Sequence, residues 1–163
     1  MKHLFTLAVL VFSAPAAAAE TCPTGSPEDN IALAKRFYQA INAQDGGLLE
    51  GVLADEWRDI PLPPGQGPGR AGMQTAIEGF DAVFRDFHVT NDEFIASANK
   101  VVVRSTNTGV HAGNFAGFEG TGKPFSMTSI DIHTICDGRI VESQHVEDWL
   151  GTMFQLGLLP PGQ

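Results

Sequence analysis

Apolar positions along the chain recur first at helical and then at strand spacing. Ser26-Pro27-Glu28-Asp29 reads as a helix start: a capping hydroxyl, proline at the first helical position, and acids where the helix dipole favours them. Ile31, Ala34, Phe37, Tyr38 and Ile41 follow at helical spacing, which predicts an amphipathic helix to about Ala43. A short second helix is expected from about Gly47 to Leu53. The proline- and glycine-rich stretch from Pro61 to Gly69 is expected to be a loop. A third helix is predicted from Ala71 to about Arg85, with Met73, Ile77, Phe80 and Phe84 on one side.

The second half has strand character. His88 to Ala98 and Lys100 to Val110 are strand-like around the turn residue Asn99, and Phe125 to Cys136 and Arg139 to Asp148 flank Asp137-Gly138, a hairpin turn signal. A last helical turn, Leu150 to Leu156, precedes Pro160-Pro161. Helices followed by a meander of long strands predict an α+β fold, with the helices packed on one face of a curved antiparallel sheet.

The hairpin also predicts a register. With a two-residue turn, paired residue numbers sum to 275: Ile135 faces Ile140, His133 faces Glu142, Asp131 faces Gln144, and Met127 faces Asp148. Side chains alternate along strands, so Asp131, His133, Glu142, Gln144 and Asp148 should share one concave face with Phe125 and Met127. Ile130 and Ile132 should pack under the helices. An apolar face studded with polar groups describes a ligand pocket.

Charge and leader narrow the possibilities. Ten Lys+Arg against nineteen Asp+Glu give −9, a surface that repels phosphate backbones and anionic lipids, so neither nucleic acid nor membrane is an expected partner. Met1-Lys2-His3, the apolar run Leu4 to Phe12 and Ala17-Ala18-Ala19 have the form of a cleavable signal peptide over residues 1–19, leaving one domain over 20–163 and predicting a periplasmic or secreted protein. In such a compartment Cys22 and Cys136 are either two unrelated thiols or a bridge tying the mature N-terminus to the sheet; the even count favours the bridge. The scattered histidines and acids give no metal-ligand spacing, and no phosphate loop, dinucleotide fingerprint or nucleophile elbow is present. Neither a metal nor a cofactor is expected.

Several segments resemble a known family: Arg36-Phe37-Tyr38, Gly69-Arg70-Ala71-Gly72, Thr108 to Phe115, and Gly120-Thr121-Gly122-Lys123-Pro124. The fullest run goes from Ile130-Asp131-Ile132-His133 through Asp137 to Glu142, Asp148-Trp149-Leu150-Gly151 and Gln155-Leu156-Gly157. Together they resemble the SnoaL-like polyketide cyclases, or ester cyclases, of the cone-shaped nuclear transport factor two-like superfamily. The resemblance implies ring closure by intramolecular aldol condensation, with an aspartate as acid/base and no cofactor. By position, Asp148 looks like the family acid, and Asp131 and His133 match polar residues of the preceding strand. The chain departs from the pattern with Ser143-Gln144 where the family usually has His-Trp, and with Asp59 where it often has histidine.

On this reading Asp148, Asp131 and His133 are the catalytic candidates. Gln144, Glu142, Asp59, Trp57, His111, Met127, Phe125 and Tyr38 are the substrate-binding candidates. Each has a plainer role open to it. Asp148 stands where a helix N-cap belongs. Asp131 could accept from Gln144 across the ladder, and His133 could pair with Glu142. His111 could be a solvated loop residue, and Arg104 could pair with a nearby acid. Three functions stay open: a cofactor-independent acid/base cyclase, isomerase or lyase acting on a small apolar carbonyl compound; a non-catalytic periplasmic binder of such a molecule; and a dimeric scaffold. A homodimer through the sheet is also expected.

Overall fold

The protein is described here by a computed structural model covering residues 22–160; the expected leader and its cleavage site lie outside the described residues. The order of elements is α1 (Pro27–Ala43), a 3₁₀ turn (Gly46–Leu49), β1 (Leu53–Ile60), α2 (Gly69–Val83), β2 (Phe84–Ser97), β3 (Lys100–His111), β4 (Pro124–Cys136), β5 (Arg139–Glu147) and α3 (Trp149–Leu156). Helix α1 starts at Ser26 with the cap that its sequence implies: Ser26 and Asp29 satisfy each other's backbone N–H groups in a capping box.

The strands form one sheet in the order β1-β5-β4-β3-β2. Strands β2 to β5 are the antiparallel meander that the sequence predicts, but β1 pairs with β5 in parallel. This edge strand was not expected. The predicted helix from Gly47 to Leu53 shrinks to the 3₁₀ turn, and the chain then runs extended to Ile60. Charged Asp55, Glu56, Arg58 and Asp59 hide its strand character; Leu53 and Trp57 are its buried apolar side chains. Two register irregularities in β2 supply bulges of the kind that bend a sheet.

The main core lies between the helices and the inner face of the sheet. Phe37, Tyr38 and Ile41 of α1 and Met73 and Ile77 of α2 pack on Trp57, Val89, Val101, Val103, Ile135 and Ile140. The helices therefore cover the polar-studded face itself. The opposite face, carrying Ile130 and Ile132, is the outer one: Ile130 and Val146 are exposed there, which corrects the expectation that Ile130 and Ile132 pack under the helices. Arg104 is paired with Asp92 and Glu93, as its surroundings in the sequence suggest. A second cluster, of Phe84, Phe125, Met127 and Leu156, closes one end of the sheet. Cys22 and Cys136 are bridged, with Cα atoms 5.4 Å apart, and the backbone N–H of Asp137 donates to Pro23 O.

Candidate functional site

The β4–β5 hairpin determines which side chains enter the space under the helices. Asp137 (φ 48°) and Gly138 (φ 67°) form the two-residue turn, and Cys136↔Arg139 and Ile135↔Ile140 pair as predicted. A β-bulge then intervenes. Thr134 pairs with Glu142, His133 with Ser143, Ile132 with Gln144, Asp131 with His145 and Ser129 with Glu147. Paired numbers now sum to 276, so β4 keeps its predicted orientation while β5 beyond the bulge presents its other face.

Three expected site residues move away in consequence. Glu142 lies on the outer face, bonded to Arg58 of β1 and to Gln144, and Gln144 is exposed. Asp148 is exposed as well; its carboxylate accepts from Gly151 N at 2.8 Å as the N-cap of α3. Phe125 and Met127 are buried in the second cluster, outside the cavity. His111 is neither solvated nor in the cavity: it is fully buried beside Phe84, with Nδ1 accepting from Thr121 N at 3.4 Å.

In their place stand Ser143, His145 and Glu147, which the uninterrupted register put on the wrong face. With Asp59, Asn107, Ser129 and Asp131 they line a cavity of about 120 Å³, walled by Phe37, Tyr38, Ile41, Trp57, Met73, Phe80, Phe87 and Val89. Asp131, Asp59, Trp57 and Tyr38 are thus where the sequence expects them. His133 lies immediately behind Tyr38.

Two polar systems meet in this cavity. In the first, His145 sits between carboxylates, Nδ1 2.7 Å from Glu147 Oε1 and Nε2 3.2 Å from Asp59 Oδ1, with Pro61 O 3.0 Å from Nε2. Bonds to Asp59 and then Glu147 outweigh burial and raise its pKa to about 10, so it is an imidazolium at neutral pH. Gln66 from the proline-rich loop donates to the other Asp59 oxygen at 2.8 Å.

The second system is neutral. Trp57 Nε1 lies 3.0 Å from Ser143 Oγ, Ser143 Oγ lies 2.7 Å from His133 Nδ1, and His133 Nε2 lies 3.0 Å from the Tyr38 hydroxyl. Complete burial, aided by the nearby His145 charge, lowers the His133 pKa to about 3. Burial likewise raises that of Tyr38. Both stay uncharged.

Asp131 stands between the two systems. Burial raises its carboxyl from 3.8 to about 6, against the lowering effect of the Tyr38 hydroxyl within its reach and of the His145 charge. Asn107 Oδ1, on the same wall, has no hydrogen-bond partner. No lysine or arginine lines the cavity among the described residues.

Comparison with known proteins agrees with this architecture. The family described as SnoaL-like polyketide cyclase matches residues 32–156. TsrD from Streptomyces laurentii has a similar structure, with 31% identity, a TM-score of 0.77, and coverage of 83% of this chain and 100% of that one. Wild-type IdmH from Streptomyces antibioticus is 30% identical with a TM-score of 0.66, over 82% of this chain and 99% of its own. A SnoaL-like polyketide cyclase from Agrobacterium tumefaciens shares the fold at 15% identity, with a TM-score of 0.67 over 78% and 98% of the two chains. None of the curated proteins matches the chain.

Proposed function

The chain belongs to the SnoaL-like polyketide cyclase family, and from that premise we propose that it is a cofactor-independent acid/base enzyme of cyclase, isomerase or lyase type. Its substrate is a small, uncharged, carbonyl-containing molecule. The observation that carries this reading is the Asp131 carboxyl, held at about 6 inside an aromatic-walled cavity. A general base works best when its pKa lies near the working pH. Asp131 is mostly ionised at neutral pH, yet basic enough to take a proton from a carbon next to a carbonyl.

The neighbouring groups fit the same chemistry. The positive charge of His145 stabilises the enolate oxygen that forms as the proton leaves. Asp59 and Glu147 use up its N–H groups, so its part is electrostatic rather than proton transfer. Asn107 Oδ1 is free to accept from a substrate hydroxyl. The lack of a lysine or arginine in the wall disfavours carboxylate and phosphate substrates, and about 120 Å³ suits a small ligand better than a drug-sized one.

The test is turnover by Asp131→Asn, on a substrate identified by native mass spectrometry of protein isolated from its own host. Loss of a general base of this kind lowers the rate about 10²–10⁴-fold; unchanged turnover overturns the assignment. The binder reading draws on Asp59, His145 and Glu147, whose polar atoms are engaged with one another. A ligand that co-purifies with both proteins and is converted by neither favours it. Export is the companion reading, supported by the leader and by the Cys22–Cys136 bridge. The exported protein should have an intact mass beginning near Glu20, and a mature chain retaining Lys2 refutes it.

A further inference from the structure

The buried chain from Trp57 to Tyr38 has a direction. An indole N–H only donates, so at 3.0 Å the Ser143 oxygen accepts from Trp57. Ser143 has its own proton to place, and the acceptor 2.7 Å away is His133 Nδ1. A neutral imidazole that accepts at Nδ1 carries its proton on Nε2. That N–H faces the Tyr38 oxygen at 3.0 Å, which accepts it. The phenol proton is then free for Asp131, which lines the same cavity and interacts with the phenol.

A second donor reaches the phenol from β2 and β3. Asn91 Nδ2 donates to Ser105 Oγ at 3.0 Å, and the Ser105 hydroxyl in turn lies against Tyr38. A phenol oxygen approached by two donors has its lone pairs occupied, and its own hydrogen turns to the remaining acceptor. Both chains end on the Tyr38 oxygen.

We propose that Trp57 and Ser143 are positioning residues: they hold His133 as its Nε2–H tautomer, and so aim the Tyr38 hydroxyl proton at Asp131. Neither residue moves a proton during turnover. Their part is to set the proton affinity of Asp131 from two side chains away, alongside the charged neighbours His145, Glu147 and Asp59. The catalytic consequence rests on the reading of Asp131 as the acid/base group. The tautomer and the aim of the phenol do not.

The experiment is nitrogen-15 NMR of the imidazoles in the intact, disulfide-bonded protein at pH 7, with carbon-13 titration of the Asp131 carboxyl. In the wild type, His133 is expected to be protonated on Nε2 and bare at Nδ1. Trp57→Phe keeps an aromatic wall and removes only the donor. Ser143 can then reverse, so that Nδ1–H donates to it and Nε2 takes the Tyr38 proton. Asp131 loses its donor, and its midpoint should rise by about half to one pH unit, a three- to tenfold change in proton affinity. Ser143→Ala should raise it similarly. A wild-type His133 protonated on Nδ1 overturns the proposal, and needs no variant to be folded. So does an Asp131 midpoint that is the same in folded Trp57→Phe as in the wild type. If the tautomer and the shift are found while Asp131→Asn retains full turnover, the positioning chain stands and the acid/base assignment falls.

Discussion

Asp131→Asn should make the protein more stable at neutral pH while disabling it. The carboxyl ordinarily loses its proton near 3.8, and in the fold it holds it to about 6. Between these values the folded state binds more protons than the unfolded chain, so stability falls as pH rises through the window. At about 1.4 kcal/mol per pH unit the full penalty is about 3 kcal/mol, complete above pH 6 and absent below the ordinary value. The stabilising effects of Tyr38 and His145 on the carboxylate are already contained in the 6. Asparagine resembles the protonated acid in shape and charge, so the variant escapes the penalty. The assay is the melting temperature of both proteins from pH 4 to 8, taken as a difference so that titrations common to both cancel. At roughly 2–4 °C per kcal/mol for a domain of this size, the variant should melt up to roughly 6–12 °C higher at pH 7.5, and little differently at pH 4. A difference that does not vary with pH, or a wild type that gains on the variant as pH rises, would show that the fold does not favour the protonated carboxyl. The acid/base argument would then lose its basis.

Other expectations concern the surrounding groups. His145→Gln leaves Asp59 and Glu147 facing each other without their cation and should cost about 1.5–3 kcal/mol at pH 7. Because the folded His145 pKa is raised to about 10, that difference should be full below about pH 6.5 and disappear as pH rises through 10. The same variant should move the acid limb of the kcat/KM profile upwards, since His145 helps Asp131 to ionise. Asp148→Ala should lower stability by about 1 kcal/mol through loss of the α3 cap, with kcat/KM unchanged; a 10²-fold loss of turnover would return this residue to the site. Cys22→Ser opens a link across a sequence separation of 114 and should cost about 4–5 kcal/mol in the chain-entropy model. Reduced wild type should melt with that variant, and a reduced protein that melts like the oxidised one contradicts the estimate.

What could be read in advance was what local chemistry dictates. The Ser26 cap, the Asp137-Gly138 turn and the alternation along β4 each state their geometry within a few residues, and with them came α1, the hairpin and the inward aim of Asp131 and His133. Strand β1 was hidden because an edge strand needs little burial, and four charged residues cover its alternation. Ile130 and Ile132 look like core in the sequence, which points the helices to the wrong face of the sheet. They lie on the outer sheet face, while Tyr38, Trp57 and Ser143 satisfy the polar groups beneath the helices. The bulge in β5 has no glycine or proline to announce it. Its trace was the spacing of Ser143, His145 and Glu147, alternate residues with the same ligand-like character as Asp131 and His133.

That bulge makes the chemistry of the cavity wall a matter of counting. Whether Val141 is absorbed as a bulge decides whether the strand offers Ser143, His145 and Glu147 or Glu142, Gln144 and Val146 to the interior. Deleting Val141 would straighten the ladder and leave Ser143 opposite His133, whereas one more residue inserted before Glu142, with no second bulge to absorb it, would turn the rest of the strand over. A single codon gained there exchanges one set of wall residues for the other, while loss of the Val141 codon keeps the set. Alignments that slide across this hairpin without a gap will equate residues that face opposite sides of the sheet.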